Sequence, residues 1–416
     1  MILLRLALKS LLSRTVTVSL TIFAIALSVA LFLGVEKLRT GAKASFADTI
    51  SGTDLIVGAR SGGVQLLLYS VFRVGNATNN VTWQSYQDIA NRPEVNWSVP
   101  LSLGDSHRGF RVLGTTPEFF ERYKYRGGRS VDFTDGTAFS DLFDAVVGAD
   151  VAAALGYQLG DQIVVSHGVA SFTEHDDKPF QISGVLKKTG TPVDRTVFVS
   201  LEAIEAIHID WQGGGRAQNT ISADEVRQMQ LTPKAVTAAM IGTNTRLQIF
   251  GLQRWINEYA QEPLLAILPG VALSELWSLI GVAESALVAV SVMVVITALL
   301  GMAAMIFSGL NERRREMALL RAIGARPWTV MLLLTTEAAL MSLTAVALGM
   351  GLLYTGLWVA RSRIDAAFGL YIEITPPSPR EWLVLCGVIL SGIIVSLLPA
   401  IRAYFLSLAD GMQVKH

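Results

Sequence analysis

Four long apolar runs, one large polar region and two short polar connections set the plan of the chain. Residues 15–34 carry no charge over about 20 positions, enough for about 30 Å of helix. Residues 276–310, 329–360 and 381–403 repeat the pattern, and each is long enough to cross a hydrocarbon core. Glu284 sits near the outer end of the second run, which puts the membrane boundary near Ser285 and leaves residues 280–310 as a span with a projecting stalk. Residues 1–14 differ. Leu4, Leu8, Leu11 and Leu12 share one face while Arg5 and Lys9 lie off it, which predicts an amphipathic helix at a membrane surface. A cleaved signal peptide is the competing reading, with Ala24 and Ala26 as the small residues of a cleavage site. The run continues to Leu33, beyond a typical signal core, and favours a retained span.

Residues 35–279 alternate on shorter periods and hold no stretch of spanning length. Strands are expected at 54–58, 145–148, 161–166, 180–186, 196–200, 235–242 and 264–268, where β-branched residues are bounded by Gly, Asp and Pro. Helices are expected at 82–91, 117–123, 148–155, 201–210 and 245–259. A Gly-rich polar stretch at about 212–230 reads as a linker between two subdomains. The expected fold is therefore an α+β membrane protein: four transmembrane helices, with a large mixed α/β extracytoplasmic domain between the first and second.

Residues 311–328, NERRREMALLRAIGARPW, separate the second and third runs. Five arginines (Arg313, Arg314, Arg315, Arg321, Arg326) stand against Glu312 and Glu316, and basic loops face the cytoplasm. Both termini then lie on the cytoplasmic side, with residues 361–380 outside and 404–416 as a cytoplasmic tail. Met317, Leu320 and Ile323 form one helical stripe, with Leu319 beside it. Gly324 supplies the stop and Pro327 the restart of the next helix. A loop that only set topology would need the charges but not the stripe, so an apolar face docking in a partner's groove is expected.

The composition fits this plan. Of 416 residues, 51% are hydrophobic and 16% charged, below the roughly 25% usual for soluble domains. A net charge of zero gives nucleic-acid binding no support. The single Cys386 allows no internal disulfide and no thiolate metal cluster. Neither GxxxxGK[ST], HExxH nor GxSxG occurs, so no catalytic constellation is legible. Glu337, about two turns into the third span, is a functional candidate as an intramembrane acid. Its shallow depth favours a structural hydrogen bond or an ion pair with a basic residue such as Arg402. Ala345 with Gly349, and Ala347 with Gly351, suit close helix packing, inside the bundle or at a dimer seam. The segment SHGVASFTEHDD offers His167, His175, Asp176 and Asp177 as zinc ligands, though the spacing fits no standard motif and a solvated hairpin tip is the alternative. Residues 190–195 read as a tight turn in which Asp194 and Arg195 pair.

The layout, with ERRREMALLRAIGARPWTV, VVGADVAAALGYQLGDQIVV and FQISGVLKKTGTPVDRTVFVS, resembles the MacB/FtsX/lipoprotein-releasing (LolC/LolE-like) permeases of ABC transporters. The resemblance implies a bacterial inner-membrane protein with a MacB-like periplasmic core. It also implies two copies of a cytoplasmic ATPase carrying the ATP and Mg, and a second permease copy, identical or paralogous. Glu312, Arg315, Glu316, Leu319, Leu320, Arg321 and Gly324 then form the ATPase contact. The chain itself is not an enzyme and holds no cofactor. It extracts or exports a lipoprotein, peptide or lipid-like substrate alongside membrane lipids, with a periplasmic adaptor or lipoprotein as further partner. The alternative is an FtsX-like regulator of a periplasmic hydrolase with no cargo, and a weaker one is a zinc-linked system.

This topology predicts that cysteines placed at Ala325 and at Ser222, in a Cys386→Ala background, react with a membrane-impermeant maleimide from opposite sides of the membrane. Labelling of both from one side contradicts it.

Overall fold

The computed structural model describes residues 2–168, 177–212, 215–216, 221–312, 324–368 and 374–405. The chain divides into two compact units. Residues 1–41, 281–362 and 372–416 form one, and residues 42–280 with 363–371 the other.

Among the described residues, four helices are long and apolar enough to cross a membrane, over Thr15–Gly41, Pro269–Ser308, Pro327–Arg361 and Pro379–Leu398. A separate helix, Ile2–Leu12, precedes them, and the chain turns at Ser13 and Arg14 before Thr15–Ala47 begins. That first long helix does not end where its uncharged run ends at Gly34. Charge stops a segment from being membrane-compatible but does not stop a helix, and no proline intervenes before Ala47. Likewise Pro269–Glu312 spans 44 residues, about 66 Å. Pro269, Pro327 and Pro379 each open a helix, where the missing N–H has no intrahelical partner to lose.

The first span buries Ile25, Ala26, Val29 and Leu33, and exposes Leu20, Phe23, Leu27 and Leu31. The third buries Leu334, Ala338, Met341 and Ala345. Gly349 lets these two spans touch through backbone: a Cβ there would lie 2.6 Å from the Ala26 carbonyl oxygen and 3.0 Å from Val29. The Ala345/Gly349 pair therefore packs inside the bundle, whereas a Cβ on Gly351 meets nothing within 4 Å.

The second unit is built on one mixed sheet. Nine strands follow in the order Leu264–Ile267, Leu55–Ala59, Ala238–Thr243, Val95–His107, Phe110–Thr115, Thr196–Ser200, Asp144–Val147, Phe180–Leu186 and Phe133–Gly136. Two short strands pair onto this path, Gln162–Ile163 on Phe180–Leu186 and Ser166–His167 on Val95–His107. Most neighbours are antiparallel. Thr196–Ser200 with Phe110–Thr115, and Phe180–Leu186 with Asp144–Val147, are parallel. The first and last strands of the unit are neighbours, with Ile56 opposite Ile267, so the chain comes in beside the place where it goes out. Val95–His107 is the seam. Its first half pairs with Ala238–Thr243 and its second with Phe110–Thr115, across a bulge between Leu103 and Ser106.

Phe180–Leu186 and Thr196–Ser200 fall where the alternation puts them. The expected strand 161–166 is instead two short pieces, because the Val164 carbonyl accepts from the His107 ring (2.6 Å). The expected strand 235–242 breaks at Thr237, whose hydroxyl takes over bonding to the Leu103 backbone. Part of the stretch read as a linker is packed: Ser222 and Glu225 form a capping box for the helix Ala223–Arg227, and Val226 is buried.

Gly349→Ala should destabilise the detergent-solubilised protein by about 1–3 kcal/mol, the usual cost of overpacking. Gly351→Ala should leave the melting temperature unchanged or slightly raised. Equal melting shifts for the two would show that the close contact is not specific.

Candidate functional site

At one end of the helical bundle lie the described residues that flank the expected coupling segment in sequence. Glu312 is the last described residue before 313–323, and Gly324 has φ +100°, a left-handed backbone that glycine adopts without strain. The Arg326 carbonyl accepts from Thr329 N (2.8 Å) as the next helix starts. Arg315, Glu316, Leu319, Leu320 and Arg321 lie outside the described residues. Nearby in sequence to the two span ends, Ser13, Arg14, Thr15, Val16, Thr17, Met305 and Ser308 line a cavity of about 330 Å³. Glu337 is 5% exposed; the Arg402 side chain lies outside the described residues.

The opposite end carries a denser polar network, on residues outside the motifs picked out above. Lys37 is one turn past the uncharged part of the first span, and its ammonium is buried. It lies 3.2 Å from Glu381 Oε2 and donates to the Thr375 carbonyl (3.2 Å), Thr375 Oγ1 (3.1 Å) and the Pro376 carbonyl (3.4 Å). Glu381 is committed twice. Its Oε2 accepts from Ser378 N (2.8 Å) and its own N–H donates to Ser378 Oγ (3.3 Å), a capping box at the start of Pro379–Phe405. Tyr354 of the third span donates to the same Thr375 carbonyl (2.9 Å). Removing one partner of a buried ion pair typically costs about 3–5 kcal/mol, since the other charge is left unpaired. A second, looser pair joins the first and second spans: Arg39 Nη1 lies 3.6 Å from Glu284 Oε2, and its Nη2 is held by Glu36 at 2.7 Å. Ser378-Pro-Arg-Glu381 ahead of an apolar run is the sequence signal for the capping box. Nothing local marks Lys37 as its partner.

In the sheet unit, the histidines serve different ends. His107 is buried; its Nδ1–H donates to the Val164 carbonyl, so Nε2 accepts from Tyr157 O–H (2.7 Å). His208 donates Nδ1–H to the Ile204 carbonyl (2.7 Å), with Nε2 3.6 Å from Asp105 Oδ1. His167 stands opposite Asp105 in the strand register. His175 and Asp176 lie outside the described residues. Asp177 contacts Lys178 (2.8 Å), a lysine 1% exposed that also binds Asp210 (2.7 Å). Among the described residues, no group of three or more side chains is placed to hold a metal ion.

The turn at residues 189–195 corrects one expectation. Asp194 does not pair with Arg195. Its carboxylate accepts from Thr189 N (2.8 Å), Thr189 Oγ1 (2.8 Å) and Gly190 N (2.6 Å), while Arg195 lies over the Phe110 ring. Burial pushes the Asp194 carboxyl up, against the lowering effect of those donors.

Residues 18–250 match the family model of the MacB-like periplasmic core domain, and residues 288–408 that of the FtsX-like permease C-terminal domain. Among solved structures, the periplasmic region of MacB from Actinobacillus actinomycetemcomitans is similar over 55% of this chain and 94% of that chain, at 9% identity and a TM-score of 0.35. The extracellular domain of the noncanonic ABC-type transporter YknZ from Gram-positive bacteria is similar over 52% of this chain and 98% of that chain, at 12% identity and a TM-score of 0.30. No curated protein matches the sequence.

Asp194→Ala leaves three buried donors unsatisfied and should cost about 2–5 kcal/mol, while Asp194→Asn keeps an acceptor and should cost less. A carboxyl held up in the folded state stabilises below its unfolded pKa, and that contribution is lost as pH rises through the folded value. Thermal melts across pH 3–7 should therefore show this slope in the wild type and not in Asp194→Asn.

Proposed function

The chain belongs to the MacB/FtsX family of ABC-transporter permeases, and from that premise we propose that it is the inner-membrane subunit carrying the stroke of a separate ATPase to its periplasmic domain. Both termini and residues 311–328 face the cytoplasm in this reading. Two ATPase copies bind from below, one to each of two paired permeases. Glu312, Arg315, Glu316, Leu319, Leu320, Arg321 and Gly324 make the contact. Arg315 and Arg321 meet acidic groups on the ATPase, and Leu319 and Leu320 fill its groove.

One observation carries the reading. The two helices that bracket the periplasmic domain in sequence, Thr15–Ala47 and Pro269–Glu312, are each unbroken, and the second runs to Glu312, a member of the proposed contact and the last described residue before 313–323. A continuous helix resists bending over this length, because each turn is held by its own hydrogen bonds. Displacement at Glu312 therefore reaches the start of the same helix at Pro269. The polar work is divided accordingly. The chain has no phosphate-binding GxxxxGK[ST] loop, so nucleotide chemistry falls to the partner. The cargo class that fits a periplasmic domain moved by a membrane lever is a lipoprotein, peptide or lipid-like molecule already outside the cytoplasm.

The test is co-purification of the full chain with its cognate ATPase. Arg315→Glu with Arg321→Glu, and separately Leu319→Ser with Leu320→Ser, should each weaken binding by about thirtyfold and abolish stimulated ATP turnover, as for the loss of an interface hot spot. Undiminished binding and stimulation in both variants would remove this segment as the contact.

A further inference from the structure

The two polar pairs at the outer end of the bundle differ in what happens when they part. If Glu381 moves away from Lys37, both charges stay buried, at 8% and 4% side-chain exposure, and among the described residues neither touches another group of opposite charge. Lys37 also loses two backbone carbonyls and a hydroxyl in the stiff Thr375-Pro376-Pro377 segment, and Glu381 is tied into the first turn of the last span. If Glu284 moves away from Arg39, the guanidinium keeps Glu36 on its own helix at 2.7 Å, and it gives up a looser approach of 3.6 Å. The arginine side chain is also more exposed than that of Lys37, 24% against 8%, so water reaches part of what the separation uncovers. Fully satisfied buried networks are rigid, and a looser, less buried pair with a fallback partner is less so.

We infer that Lys37 and Glu381 form a clasp that stays shut through the ATP-driven cycle, while the Arg39–Glu284 contact is the joint that opens. The first and last spans then move as one piece at their outer ends, and the second span, which leads to the ATPase contact, slides against them. Lys37 and Glu381 are positioning residues in this scheme. The inference rests on the transmission proposed above and adds which helices stay together.

Two measurements test it on the full chain. The first needs no ATPase. In thermal melts of Lys37→Met, Glu381→Gln and the double variant, the double should lose no more than the worse single, because each single already breaks the unit. Simply additive losses would show that the pair is no unit and would overturn the clasp. The second uses the complex in nanodiscs, in a Cys386→Ala background whose stimulated turnover is confirmed beforehand. Absence of that turnover would speak against the transmission itself rather than the clasp. Lys37→Cys with Glu381→Cys, bridged by a short bis-methanethiosulfonate, should keep turnover within about twofold of the unbridged protein. Arg39→Cys with Glu284→Cys, bridged in the same way, should lose at least tenfold and recover on reduction. Strong inhibition by the first bridge, or none by the second, would refute the assignment.

Discussion

An ammonium taken out of water is tolerable only where acceptors replace the water, and Lys37 meets this condition with a carboxylate, two carbonyls and a hydroxyl. Apolar helices in lipid have little to choose between one rotation and another, since a leucine is as content against acyl chains as against another leucine. Directional contacts supply what apolar ones lack. Among the described residues they include the Lys37 network at one end, and Gly349 against the Ala26 carbonyl within the span. Together they fix the first helix against the third and the fourth. The second helix is joined to the first by a weaker pair of charges.

A permease driven by a separate ATPase, as proposed above, needs parts that hold and parts that give. The sheet unit shows the same economy. Its buried polar groups are structural: Lys178 with Asp210, Asp194 with the Thr189–Gly190 backbone, His107 between a carbonyl and a phenol. They pin loops and strand ends, and among the described residues no group of three or more side chains is placed to hold a metal ion.

Much of this is legible in the chain alone, and the failures have physical causes. The spans are legible because lipid permits few alternatives to a long uncharged helix. Their ends are not, because helix formers such as Glu36, Lys37 and Leu38 extend the first helix beyond the hydrocarbon without any change in local propensity. Phe180–Leu186 announces itself by alternation. The central strand Val95–His107 does not, since Pro100, Gly104 and a bulge interrupt the period that would have revealed it. The hairpin after it turns on Arg108 and Gly109, both at positive φ, without the Asn-Gly or Asp-Gly pair that usually signals such a turn. The Lys37–Glu381 pair, 344 residues apart by number, is invisible for a simpler reason: no local pattern encodes a partner that far away.

The adjacency of Leu55–Ala59 and Leu264–Ile267 bears on how the sheet unit answers a mechanical load. Because these strands are antiparallel neighbours, the segments leading to the two long helices depart from the same end of the pair. Tension that drew those segments apart would fall on the ladder one rung at a time, as in opening a zipper, and would meet little resistance. Tension shared equally between them would not strain the ladder at all. The ladder therefore bears the two segments moving together, and yields, rung by rung, only when they are drawn apart.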